Sequence, residues 1–353
     1  MTDDRPDKDE PMKFQQQQQQ QQPRPPARPA VFLMTAAALA FAWLAAPAMA
    51  QGAGWPERAI KLIAPSSPGG PPDVYARALA DQMSRALGQP VVVENAPAVG
   101  GMVAAQQVRR AVPDGYTLLV NTAGMMAITP NANPKAQYRA SDFSQICQGV
   151  DAALVLAGNP QLGLANFAQL AAWIKAQKVP PTYSSYSAGS PAHFLGYQLS
   201  EALKTEMTHV PYKSSPQQVT DMLGGVAPLG FVQIATAAPQ IRAGKLVAFA
   251  TTGDRRAAQF PDVPTVAEVG LPQLATTVWF GLSGPKNLPP AVLQRLIAMH
   301  EDITGSGEFR TRMGAAGLEV SPVLCGDVFL RKIELESERW GRVVKATGFL
   351  AGE

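Results

Sequence analysis

From Ile60 onward, short apolar runs alternate with stretches whose apolar residues recur every three or four positions. The run Ile60–Ala64 stops at Pro65 and passes through Ser66, Ser67, Pro68, Gly69 and Gly70. It restarts as Val74, Ala78, Leu79 and Met83, at helical spacing. That pattern is a strand, a tight turn and a helix. The same rhythm predicts strands over residues 91–94, 116–121 and 143–157, with helices over 73–87 (ended by Gly88) and 101–111. It then repeats, with strands at 182–185, 208–211, 229–233 and 246–251 and helices at 167–177, 191–203, 217–223 and 235–243. An extended segment at 279–284 precedes three closing helices, 290–303, 307–316 and 327–347. Strands alternating with helices of this length define an α/β chain, here two units on a largely parallel sheet with a helical tail.

Ligand sites in such sheets lie beyond the carboxyl ends of strands. The glycine- and serine-rich loops 66–70, 122–125 and 185–190 all follow strands. A strand-turn-helix of this kind turns backbone N–H groups and a helix N-terminus toward one spot, which suits a small anion. Ser190 stands as an N-cap with Pro191 at the first helical position, so it would cap that helix whether or not a ligand is present. Asp73 beside the first turn is favoured there by the helix dipole and reads as structural. The glycines of residues 95–101 read as conformational, and Lys213 is a candidate anion partner at a solvated rim.

The first fifty residues change the picture in a different way. A charged start, the glutamine run 15–22 and a segment rich in proline and arginine cannot bury a core, so they are expected to be disordered. An apolar block at 30–46 ending in Ala48-Met49-Ala50 then reads as an export signal cleaved before Gln51. No later apolar stretch reaches membrane-spanning length. The chain has 30 basic and 27 acidic residues, and Met1–Ala50 holds five of each, so the remainder keeps the net +3. No basic run points to nucleic acid. The two cysteines, Cys147 and Cys325, could pair after export, but one pair is no framework and the question stays open. The three histidines lack metal-ligand spacing, so no metal is expected. His193 lies near several serines, yet no GxSxG elbow or nucleotide-binding glycine motif occurs, which argues against hydrolase or nucleotide chemistry.

Eight motifs in order carry a resemblance. They are APSSPGGPPD at 64–73, ENAPAVGG at 94–101, PDGYTLLV at 113–120, HVPYKSS at 209–215, DMLGG at 221–225, PDVPTVAEVGLP at 261–272, WFGLSGP at 279–285 and RWGRVVKATG at 339–348. Together they resemble the tripartite tricarboxylate transporter substrate-binding proteins, the TctC or Bug family of extracytoplasmic solute receptors. The resemblance implies a type II periplasmic-binding-protein fold, two α/β domains with a hinged interdomain cleft. Domain 1 would be 51–159 with 275–353, and domain 2 would be 160–274. It implies a periplasmic monomer that captures a small organic acid for membrane permease subunits of a tripartite carrier, without cofactor or enzymatic activity. A periplasmic ligand sensor using the same clamshell is the alternative. By motif, the ligand-binding residues would be Ser66, Ser67, Pro68, Gly69, Gly70 and Asp73, then Thr122, Ala123 and Gly124. Ser185, Ser187, Ala188, Gly189, Ser190 and His193 would complete the set. The chain departs from the family pattern at Tyr186 and Ser187, and Pro228 and Val232 stand where aspartates are common. The first pair implies a differently shaped domain-2 turn, and the second a less amine-like, more apolar ligand.

Overall fold

In the computed structural model, residues 54–350 are described; the predicted leader, export signal and cleavage point lie outside them. Strand β1 (Ile60–Ala64) leads through the serine-glycine turn into α1 (Pro71–Leu87). Gly88 ends that helix in the left-handed region, returning its N–H to Ser84 O. Next come β2 (Val91–Asn95), α2 (Met102–Arg109) and β3 (Thr117–Thr122). A π-helical turn, Gly124–Ile128, runs directly into the short α3 (Thr129–Ala132), which the sequence pattern did not predict. The long β4 (Phe143–Gly158) is followed by α4 (Phe167–Ala176), β5 (Thr182–Ser185), α5 (Pro191–Leu203) and β6 (Thr208–Pro211). Then come α6 (Ser215–Leu223), β7 (Leu229–Gln233), α7 (Ile234–Arg242) and β8 (Val247–Thr251). The chain returns along β9 (Thr277–Pro285) and closes with α8 (Pro290–Gly305), α9 (Gly307–Ala315), β10 (Glu319–Val320) and α10 (Gly326–Thr347).

The strand order is β2-β1-β3-β9-β4-β7-β5-β6, with β8 and β10 also pairing with β4. The predicted, largely parallel sheet is in fact mixed. β1 is parallel to β2 and β3, and β5 is parallel to β6 and β7. By contrast, β9 runs antiparallel to β3 and β4, and β4 runs antiparallel to β7, β8 and β10. The reason is connectivity. β4 pairs with β9 through Phe143–Ala153 and then with β7 and β8 through Leu154–Gly158, so it carries the chain from one portion of the sheet to the other. β9 brings the chain back and must run the opposite way. At the crossing, Thr252 Oγ1 accepts from Leu154 N at 2.9 Å and Thr252 N donates to Leu154 O at 2.9 Å.

Of the apolar positions predicted along the first helix, Ala78, Leu79 and Met83 are buried and Val74 is half-buried. Ile60 and Leu62 of β1, Leu118 and Val120 of β3, and Tyr75, Leu79 and Met83 of α1 are fully buried in one cluster. Each such aliphatic side chain contributes about 1.5–3 kcal/mol. Helix α5, which starts at the second serine-glycine loop, lies so close to β5 that a Cβ on Gly196 would sit 1.9 Å from the Tyr183 ring. The Tyr183 hydroxyl donates to His193 O at 3.0 Å, so glycine and tyrosine together set the depth of that helix. A separate cluster joins Ala127, Ile128 and Ala132 to Phe194 of α5 and to Trp340 and Val344 of α10. Cys147 in β4 and Cys325 before α10 form a disulfide, which resolves the pairing that the sequence left open.

Candidate functional site

The three loops singled out in the sequence meet at one cavity of about 860 Å³. Ser66, Ser67 and Gly70 line it from the end of β1, and Thr122, Ala123 and Gly124 from the end of β3. Ser187, Ala188, Gly189 and Ser190 line it from the end of β5. Five other predicted residues do not line it: Pro68 and Gly69 are exposed members of the first loop, and Asp73, Ser185 and His193 are buried behind the loops.

Asp73 organises the first loop. It is 2% exposed; its Oδ2 accepts from Gly69 N at 2.9 Å and Arg77 Nε at 3.0 Å, and its Oδ1 from Asn95 Nδ2 at 2.8 Å. Burial alone would raise its pKa. The bonds from Arg77, Gly69 and Asn95 together outweigh burial and hold the carboxyl below the ordinary range. Asn95 also donates to Ser66 O at 2.9 Å, tying β2 to the same turn. Fewer amides are free than the turn pattern implied. Gly69 N is spent on Asp73, Gly70 N on Ser67 O, and Pro71 and Pro72 open α1 without an N–H.

The third loop is braced in a similar way. Ser190 Oγ accepts from His193 N at 3.3 Å and donates to Ser187 O at 2.6 Å, so it caps α5 as its sequence position predicts. Ser185 Oγ also donates to Ser187 O, at 2.9 Å, and lies 2.7 Å from His209 Nε2. Because that hydroxyl gives its one proton to Ser187 O, His209 Nε2 is the donor to it. Gly189 N donates to His193 Nδ1 at 3.2 Å, which fixes that nitrogen as unprotonated. The two imidazoles stack with centroids 3.8 Å apart, and Phe349 closes edge-on against His193 at 4.7 Å. The Ser–His contact does not make a nucleophile, since Ser185 is fully buried and its proton is committed.

Burial pushes the His193 pKa down to about 4, and burial with His193 alongside pushes His209 down to about 3. Burial likewise takes His300, bonded to the Tyr75 hydroxyl at 2.9 Å, down to about 4. All three are neutral in the fold but take up protons near 6.5 when unfolded. The unfolded state therefore binds more protons below pH 6.5. This part of the stability is full above that value and is lost as pH falls toward 4. We expect the thermal midpoint to fall steadily between pH 6.5 and 4.5, and His300→Gln to flatten that slope. A pH-independent midpoint over this window would contradict the buried neutral assignment.

Several lining residues escaped sequence reasoning. His209, Tyr212, Ser215, Gln233, Val278, Phe280 and Phe349 all line the cavity; Tyr186, noted in the sequence as a departure, and Lys213, the candidate anion partner, line it too, Lys213 from an exposed rim. Gly100 and Gly101, read as purely conformational, line it as well. Ser214 caps the following helix, accepting from Gln217 N, a signal that could have flagged its loop. Phe280 and Phe349 carried no local signal, because pairing of Phe280 with Thr122 and the reach of α10 bring them in.

A mixed α/β sheet with a cleft at the carboxyl ends of its strands is the architecture of periplasmic binding proteins, and solved structures agree. One, described as a periplasmic transporter, is 33% identical with a TM-score of 0.79, covering 84% of this chain and 99% of its own. The periplasmic binding protein BugD is 30% identical with a TM-score of 0.77 over the same shares. BugT of Bordetella pertussis is 33% identical over 88% of this chain and 95% of its own. Residues 75–349 match the family described as "Tripartite tricarboxylate transporter family receptor", and the chain belongs to that family. Two related structures hold carboxylates. Rpa4515 of R. palustris, 26% identical with a TM-score of 0.79 over 84% of this chain and 99% of its own, holds adipate. MatC of Rhodopseudomonas palustris, 28% identical with a TM-score of 0.74 over 82% of this chain and 100% of its own, holds malate.

Proposed function

We propose that this protein is an extracytoplasmic solute receptor that captures a small carboxylate and delivers it to the membrane subunits of a tripartite carrier. The observation that carries the reading is the convergence of three braced loops from separate strands on one cavity, within a family whose related structures hold adipate and malate. Ser66, Ser67, Gly70, Thr122, Ala123, Gly124 and residues 187–190 would contact the ligand. Asp73, Ser185 and His193 would hold those loops in place. In this reading the chain is exported with cleavage before Gln51 and works as a monomer. Residues 51–159 with 275–353 form one domain and residues 160–274 the other, and the two close on the ligand about the crossing at Leu154 and Thr252.

Prior bracing matters energetically. Donors that are already oriented need little ordering on binding, so more of the interaction free energy appears as affinity. No helix among the described residues is long and apolar enough to cross a membrane. The test is a thermal-shift screen of the purified protein against di- and tricarboxylates, aromatic acids, amino acids and neutral sugars. A dose-dependent rise confined to acids is the expected result. A rise with sugars and none with acids would overturn the reading.

A further inference from the structure

We propose that Gln233 reads the far end of the bound acid. The ligand would then carry one carboxylate, an apolar body and a neutral hydrogen-bonding group, with neither a second carboxylate nor an amine. This rests on the carboxylate-receptor reading above and narrows it.

Gln233 ends β7 opposite Leu154 of β4, at the crossing between the two portions of the sheet. It lines the cavity while only 7% exposed. It precedes α7, yet its side chain caps nothing there. Among the described residues its carboxamide has no hydrogen-bond partner, and its polar atoms are not among the sealed ones. Its bonding capacity is therefore directed to the cavity. Val278 and Phe280 of β9 add apolar surface to the same cavity. A carboxamide left unpaired at such a depth is costly, and a ligand group that both donates and accepts would relieve it.

The charge inventory sets the rest of the class. Lys213, on the rim, is the one charged side chain lining the cavity among the described residues, and no aspartate or glutamate lines it. Asp73 lies behind the first loop with three donors already on it, so it is not available to an ammonium. An amine ligand would be buried without a counter-charge. The hydroxyls of Ser66 and Ser215, which line the cavity without a partner among the described residues, are left for the first carboxylate, and a second finds fewer amides than the loops suggest. The amides of Gly69, Gly70, Gly189 and Ser190 are spent inside the protein, and Pro71, Pro72 and Pro191 have none. A neutral hydroxyl or amide meets neither penalty and matches the carboxamide.

The test is calorimetric titration of the purified protein with two ladders that differ only at the far end. One ladder is hexanoate, 6-hydroxyhexanoate, adipate and 6-aminohexanoate; the other is benzoate, 4-hydroxybenzoate, terephthalate and 4-(aminomethyl)benzoate. The hydroxy acid should bind tightest in at least one ladder. The dicarboxylate and the amine should be roughly tenfold weaker or more. Gln233→Leu should erase the preference for hydroxy over unsubstituted acid, about fivefold, while leaving the unsubstituted acid within about twofold. Gln233→Glu supplies a readout that a folding defect cannot mimic, because it should raise affinity for the amine. A tightest ligand bearing a second carboxylate or an ammonium, from the ladders or a wider screen, overturns the proposal but leaves the receptor reading standing. So does a hydroxy preference that survives Gln233→Leu. Absence of binding to every carboxylate tried defeats the receptor reading itself.

Discussion

Replacing Cys147 and Cys325 together by serine should lower the free energy of unfolding by roughly 5 kcal/mol. The bridge closes a loop of 178 residues, and long loops lose the most chain entropy when cross-linked. It fastens the buried first half of β4 to the residue before α10, and it encloses the whole of the chain between them. Urea unfolding of the wild type, with and without reductant, and of the double variant would measure the effect. The reduced wild type and the variant should coincide, several kilocalories below the oxidised protein. A loss below about 1 kcal/mol would mean that the unfolded chain is already restrained in some other way. Ligand affinity measured on the folded fraction should be nearly unchanged, because neither sulfur lines the cavity.

The second large effect is expected at Asp73, a residue that does not touch the cavity. Asp73→Ala strips one acceptor from Gly69 N, Arg77 and Asn95 at once. Arg77 is half exposed and can be rehydrated, so the stability cost comes mainly from the other two and amounts to about 2 kcal/mol. The effect on binding should be greater in proportion. The turn carrying Ser66 and Ser67 would lose the anchor that holds Gly69, and the best acid from the screen should bind at least tenfold more weakly, roughly, because the loop must be ordered during binding. Asp73→Asn keeps the shape and should recover part of both losses. The lowered pKa adds a pH signature. The contribution of Asp73 is complete above the ordinary carboxylate range and is lost as pH falls through its folded pKa, so the variant and wild type should converge in strong acid. Unchanged affinity in Asp73→Ala would show that Asn95, the Gly70–Ser67 turn bond and the prolines hold the loop without it.

These expectations mark where sequence reasoning reached and where it stopped. The loops at Ser66, Thr122 and Ser187 were legible because each follows an apolar run and carries its own turn chemistry, a property of a few adjacent residues. Ser190 was legible as a cap for the same reason. What could not be read locally was the division of labour within the loops. Whether Gly69 offers its amide to a ligand or to Asp73 depends on where α1 places a carboxylate one turn later. Gln233 and Phe349 escaped because pairings and packing far along the chain bring them to the cleft. The antiparallel course of β9 escaped as well, since strand direction depends on connectivity and not on apolar period. The disulfide belongs to the same class: only the fold brings residues 147 and 325 together.

The paired bonds between Leu154 and Thr252 bear on how such a chain could have been assembled. The chain leaves the framework at Leu154 and returns beside it at Thr252, with Thr276 N then donating to Thr252 O at 2.8 Å as the chain moves on to β9. The remaining framework keeps its own ladder, β2-β1-β3-β9 with the first part of β4, without using the intervening strands. In genealogical terms the intervening stretch has the form of an insertion, a module whose two ends enter the sheet side by side. Lineages could then exchange or reshape that module, and with it the wall that carries Gln233, while the parent sheet passes on unaltered.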